Sequence, residues 1–66
     1  MTILNKVKEL RTEKNATQED LAVACGVSRQ TVIAIEKGNY TPSLLLAFQV
    51  AAFFDLPVES VFEIKK

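Results

Sequence analysis

The chain has 66 residues, with eight Lys and Arg against eight Asp and Glu, no histidine and one cysteine. A chain of that length allows one domain, spanning 1–66, that buries only roughly 60% of the surface its unfolded form exposes. Intramolecular disulfides, a zinc-ligand set and every catalytic arrangement built on histidine are excluded, and Glu19, Asp20, Glu59 and Glu63 do not cluster as a metal site would require, so neither metal nor cofactor is expected and the chain does not read as an enzyme.

Zero net charge counts slightly against nucleic-acid binding, since such domains are usually basic. The charge is nevertheless polarised. Lys6, Lys8, Arg11 and Lys14 stand against Glu9 and Glu13 near the start, and Arg29 and Lys37 stand against Glu36 in the middle. The 48% hydrophobic content is high for so small a chain and fits an apolar patch hidden in a partner. The first residues lack a basic start and a long apolar run, and no stretch approaches the roughly 18 apolar residues that span a bilayer. A soluble, cytoplasmic protein is expected, with no membrane partner.

In chain order, Met1 to Leu4 are apolar and β-branched, compatible with a frayed helix start or a brief strand. Asn5 can cap a helix over about 5–14, with Leu4, Val7 and Leu10 along one seam and Asn15 able to end it in the left-handed conformation. Thr17 can cap the next helix, 17–25, whose first turn carries Glu19 and Asp20 at the positive end of the dipole and whose inner face is Leu21, Ala22 and Cys25. Cys25 reads as a small apolar residue sooner than as a redox switch.

Gly26 suits the left-handed stop of that helix, and Ser28, two residues on, can cap a third over 28–37. Helices joined by so short a link must cross steeply, with Val27 as an apolar pin, which is the geometry of a helix-turn-helix. Val32 and Ile35 then face inward, while Arg29, Gln30 and Thr31 give the leading turn a polar, donor-rich surface.

Gly38 to Ser43 form an ordered loop, and either Thr41 with Pro42 or Ser43 itself caps a helix over 43–54. That helix is apolar nearly all round, so part of it should face a partner. The sequence Asp55-Leu56-Pro57 breaks it, Pro57 can start a last short helix over 57–62, and Phe62-Glu63-Ile64 alternates in a way compatible with a strand. The surplus apolar residues Leu45, Phe48, Phe53, Val58, Val61 and Ile64 are the candidate dimer interface, and adjacent Phe53 and Phe54 cannot both enter one core. The fold class expected is all-α, a compact unit of five helices.

Gln18-Glu19-Asp20-Leu21-Ala22, Gly26-Val27-Ser28, Val32, Glu36-Lys37-Gly38 and Pro42-Ser43-Leu44 resemble, in order and spacing, the phage repressor and Cro type of helix-turn-helix, also called the xenobiotic-response-element family. The resemblance covers about residues 5 to 62. It implies a repressor-like domain whose third helix enters the major groove of double-stranded operator DNA, as a homodimer on an inverted repeat. The sequence looks most like small stand-alone regulators in which the termini pair as a short β-ribbon, here residues 1–4 with 62–65. Repression is the implied role. A restriction-modification controller is a variant of it, and an antitoxin or anti-repressor module that keeps the fold without specific DNA binding is the alternative.

Carried over by position, the resemblance implies base contacts from Arg29, Gln30 and Thr31, with a thymine-methyl contact or none from Ala34. It implies phosphate contacts from Thr17, Gln18, Ser28, Lys37 and Asn39. Tyr40 either packs over the third helix or donates to a phosphate, and Arg11 and Glu36 match a structural ion pair between the first and third helices.

Overall fold

A computed structural model describes residues 1–66. Its elements, in order, are strand β1 (Thr2–Asn5), helices α1 (Val7–Glu13), α2 (Gln18–Cys25), α3 (Arg29–Glu36) and α4 (Leu44–Phe53), a 3-10 turn at Val58–Ser60, and strand β2 (Phe62–Lys65). Three of the helices start at hydroxyl side chains. Thr17, Ser28 and Ser43 each accept a hydrogen bond from the backbone N–H three residues on, and at Thr17 the Asp20 carboxylate reciprocates to complete a capping box. Ser43, not Thr41 with Pro42, is therefore the cap of α4.

Helix α1 departs from expectation at its start. Asn5 belongs to β1, and its Oδ1 accepts from the Val7 N–H at 3.1 Å from one residue outside the cap position, which Lys6 occupies without a side-chain bond. The same Asn5 donates through Nδ2 to the Ile35 carbonyl at 2.8 Å, a second bond to an oxygen that already accepts from the Gly38 N–H at 3.0 Å, so the last turn of α3 is tied to β1.

The expected fifth helix is absent: the fold is mostly helical, with four α-helices and a two-stranded antiparallel sheet. Between Pro57 and β2 there is room only for one 3-10 turn, because the chain is claimed from both sides. Val61 is drawn into the core at 1% exposure, its carbonyl accepts from the Lys6 N–H at 2.9 Å, and Phe62 pairs with Asn5. The ribbon implied by the resemblance is present, its first strand shifted by one residue to Thr2–Asn5, with Thr2 opposite Lys65, Ile3 opposite Ile64, Leu4 opposite Glu63 and Asn5 opposite Phe62.

The core takes Val7 from α1, Leu21, Ala22 and Cys25 from α2, Val32 and Ile35 from α3, Leu46, Val50 and Ala51 from α4, and Val61. Val27 packs against this cluster from within the turn between α2 and α3, as its role of pin requires. Contrary to the expectation that adjacent Phe53 and Phe54 could not both enter the core, both are half-buried at its edge, because they meet edge-on, with ring centroids 5.2 Å apart and planes at 80°. The Lys14 ammonium lies 5.3 Å from the Phe53 ring centroid, so the ends of α1 and α4 also meet.

Gly26 ends α2 in the left-handed region at φ 69°, and a Cβ added there would meet nothing within 4 Å. The need for glycine is thus conformational and not steric. Gly26→Ala should cost about 1–2 kcal/mol in urea unfolding, the left-handed penalty of an L-residue. Gly26→Asn should cost less than Gly26→Ala, since Asn15 already holds φ 59° in this chain. A loss in Gly26→Ala several times larger would mean that packing, not φ, selects this residue.

Candidate nucleic-acid interface

Helix α3 is the element around which the candidate site is built. Its inner face, Val32 and Ile35, is buried, while Arg29 and Gln30 on the first turn stand exposed. Thr31 and Ala34 are half-buried. The Thr31 and Ser28 hydroxyls lie 3.1 Å apart, and the Ser28 oxygen also accepts from the Thr31 N–H at 3.2 Å, so both hydroxyls already have partners within the cap. Lys37, Asn39 and Tyr40 follow α3 and are all exposed, Tyr40 by 46%.

At the start of α2, Arg11, Ala16, Thr17, Gln18, Glu19 and Arg29 line an open concavity. The Gln18 and Glu19 N–H groups fall in the first turn, where no intrahelical partner exists, and are free to meet an anion. The Thr17 N–H is different: it donates to Asp20 Oδ2 at 2.8 Å, so only its hydroxyl can donate outward. That bond from the Thr17 backbone, with the one from its side chain, holds the Asp20 carboxyl below its ordinary value.

Arg11 and Glu36 form an ion pair, Nε to Oε2 at 2.7 Å and Nη2 to Oε1 at 3.3 Å, with the Glu36 side chain 5% exposed. Arg11 also donates through Nη1 to the Ala16 carbonyl at 3.0 Å. Burial pushes the Glu36 carboxyl up, but hydrogen bonds from Arg11 and Gln18 and the charges of Arg11 and Lys8 outweigh it, leaving its pKa below the ordinary 4.5. The hydrogen bond to Glu36 likewise raises Arg11. With Glu36 paired to Arg11, the charges that residues 28–37 present outward are Arg29 and Lys37, whose sign suits a polyanion, while Glu19 on α2 adds an acid beside Arg29 in the concavity.

Gln18 is more constrained than its expected phosphate role requires. Its Nε2 donates to Glu36 Oε1 at 3.1 Å and its Oε1 accepts from Arg29 Nε at 3.3 Å. Helical periodicity gives no signal for this bridge, since its partners lie 18 and 11 residues away. Cys25 is buried in the core, where desolvation raises its thiol pKa, as expected of a packing residue.

Among the apolar candidates, Leu45 and Phe48 are exposed by 69% and 53%, and Ile64 by 59%. Val61 belongs to the core and is not at any surface, while Phe53 and Val58 are half-buried against that core. Sequence reasoning missed Leu44, which is 73% exposed and lines a shallow groove with Ile3, Thr41, Pro42, Ala47 and Phe62. Its membership in an unbroken apolar run gave no means of separating it from its buried neighbour Leu46.

The helix-turn-helix family profile matches residues 7–61. The chain belongs to the helix-turn-helix family. An uncharacterized HTH-type transcriptional regulator of Methanocaldococcus jannaschii is 60% identical over 58 residues, 88% of each chain. The cryptic phage CTXphi transcriptional repressor RstR of Vibrio cholerae is 35% identical over 54 residues, 82% of this chain and 49% of the repressor. Among solved structures, the restriction-modification controller protein C.AhdI from Aeromonas hydrophila superposes with a TM-score of 0.76 at 34% identity, covering 80% of both chains. This helix-turn-helix chain thus sits among transcriptional regulators, and no helix in it is long and apolar enough to cross a membrane.

The lowered carboxyl of Glu36 sets a pH dependence. A group held below its unfolded value contributes stability that is present above that value and lost as pH falls through the folded one. The melting temperature should therefore fall as pH drops below 4.5. Glu36→Gln should cost about 1.5–3 kcal/mol at neutral pH, the range for a bond to a charged partner, and should flatten the acid limb. An acid limb unchanged in that variant would assign the titration to other carboxyls such as Asp20.

Proposed function

We propose that this chain is a sequence-specific DNA-binding transcriptional repressor that acts as a homodimer on an inverted-repeat operator. The observation that carries the reading is the presentation of α3, whose inner residues are locked in the core while Arg29 and Gln30 project from its capped first turn. In this reading α3 enters the major groove. Arg29 forks onto guanine O6 and N7, and Gln30 pairs with adenine N6 and N7. Thr31 and Ala34, half-buried, contribute apolar contact at the same groove.

The backbone is held on both sides of the groove. The free N–H groups at the start of α2, with the side chains of Thr17, Gln18 and Ser28, take one phosphate strand, and Lys37, Asn39 and Tyr40 take the other. Zero net charge limits the number of phosphates neutralised, so non-specific affinity and salt dependence are both modest, and affinity depends on base contacts. Repression is supported by the likeness to a phage transcriptional repressor.

Two copies are needed to place α3 in successive major grooves about 34 Å apart. The surface that pairs them is the one formed by Leu44, Leu45 and Phe48 on α4 and continued across the groove to Ile3 and Ile64 on the ribbon, which are a cross-strand pair and share a face. Phe53, Val58 and Val61 are left out of it because the core already uses them.

Arg29→Ala should weaken binding to the preferred duplex by about 1–3 kcal/mol and relax the choice at one base position, measured against the chain's own upstream DNA with a scrambled duplex as control. Equal binding of wild type to the two duplexes would favour an interaction module instead. Phe48→Asp should give folded monomers by sedimentation, and dilution of the wild type should lower its melting temperature by mass action. A dimer unchanged by Phe48→Asp would move the interface elsewhere.

A further inference from the structure

The outward face of α3 carries an apolar residue at its centre. A helix turns about 100° per residue, so Ile33 stands within about 60° of Arg29, Gln30 and Lys37, the exposed side chains of the helix and its C-cap. The buried pair, Val32 and Ile35, lies about 100° and 160° away from it. Ile33 is half-buried, yet the partly buried apolar side chains that pack against the core are Leu10, Val27, Phe53, Phe54, Val58 and Phe62. It is not one of them. The shallow groove beside α4 does not include it either. An apolar side chain thus sits among polar ones on the face turned from the core, and the packing of the fold does not call for it.

Isoleucine makes no side-chain hydrogen bond, so among the groups that base edges present in the major groove its one complement is the C5-methyl of thymine. Against any other base edge it would strip water from donors and acceptors and return nothing. Its shape also suits the task. Branching at Cβ leaves one strongly preferred χ1 in a helix, so the Ile33 methyls are placed before DNA arrives and little rotamer freedom is lost on contact. Ala34, which the resemblance offers as a thymine-methyl contact, carries only a Cβ and is turned about 100° further round the helix.

We propose that Ile33 is a specificity-determining residue that selects thymine by its C5-methyl group at one position of each half-site, beside those met by Arg29 and Gln30. The inference rests on the reading of α3 as the base-reading helix and deepens it. Choice at that position then depends on a methyl group and not on hydrogen bonding. Uracil in place of thymine leaves a gap against Ile33, and cytosine both lacks the methyl and brings an amino donor that Ile33 cannot satisfy.

The test is a deoxyuridine scan: binding isotherms on the upstream duplex with each thymine of one half-site replaced in turn by deoxyuridine, which removes the methyl and leaves base pairing intact. One replacement should weaken wild type roughly three- to tenfold, the scale of one buried methyl group. The same replacement should leave Ile33→Ala unaffected, so that this variant binds the thymine and deoxyuridine duplexes alike, whereas Ala34→Gly should keep the wild-type response. If Ile33→Ala fails to fold, Ile33→Val, which stays branched but reaches less far, should show a reduced response at that thymine alone. Wild type that prefers the upstream duplex to a scrambled one yet ignores every deoxyuridine overturns the inference and leaves the reading of α3 standing. A response that persists in Ile33→Ala, or that disappears in Ala34→Gly, also overturns it. Wild type that binds upstream and scrambled duplexes equally overturns the reading of α3 itself, and the inference with it.

Discussion

Three helices of this protein meet at one carboxylate. Glu36 belongs to α3, its first partner Arg11 to α1 and its second, Gln18, to α2. Around it the ten-residue core is wholly apolar apart from the thiol of Cys25. Apolar burial is non-directional: it favours compactness without choosing the angle at which helices cross. The bonds to Glu36 do choose, because each fails outside a narrow range of distance and direction. Such a pair contributes little net stability, since both ions give up hydration, yet removal of either partner strands the other. Its value here lies in holding three helices in one mutual orientation, which the proposed reading of DNA by α3 requires more than it requires extra stability.

Small size explains much of the rest. The chain measures 31 × 21 × 20 Å and buries ten residues, so no helix can be sheathed on all sides. In α4 only Leu46, Val50 and Ala51 are buried, although the whole helix is apolar apart from Gln49. An isolated chain gains nothing from Leu44, Leu45 and Phe48 at its surface and risks aggregation through them. In the dimer proposed above, pairing of two copies over that patch would turn the liability into the device that spaces two copies of α3, and it would make folding, assembly and DNA binding one linked equilibrium.

The parts of the fold legible in the sequence are those fixed by local chemistry. Thr17 and Ser28 as caps, Gly26 as a left-handed stop and Asn15 as another each follow from what one residue can do to its own backbone. The family's motif residues gave membership, and the ribbon came with that resemblance and not from periodicity. What escaped was decided by partners remote in sequence. Residues 57–62 carry a helix start but are taken by β1 and the core, so a 3-10 turn and a strand replace a helix. Val61 reads as one more apolar residue in a polar stretch, and only the fold shows that it closes the core. Gln18 was legible as a residue beside a helix N-terminus but not as the bridge between Glu36 and Arg29, because no spacing rule relates those three positions.

The ribbon has a kinetic meaning. It joins residue 2 to residue 65, so its pairing closes nearly the whole chain into a loop. Closure entropy grows only with the logarithm of loop length, by about 0.6 kcal/mol for each doubling, so the remote pairing is little dearer than a loop half as long. It is nonetheless the contact of greatest sequence separation in the fold, of the kind that slows folding relative to helices formed from neighbours. Opening runs the other way, from the exposed tip at Thr2 and Lys65 toward the base. There the unzipping meets Asn5, bonded to both Val7 and Ile35, and the Lys6 bond to Val61. The clamp stands between the exposed strand tip and the last turn of α3, so loss of the outer pairs leaves the bonds that support α3 in place.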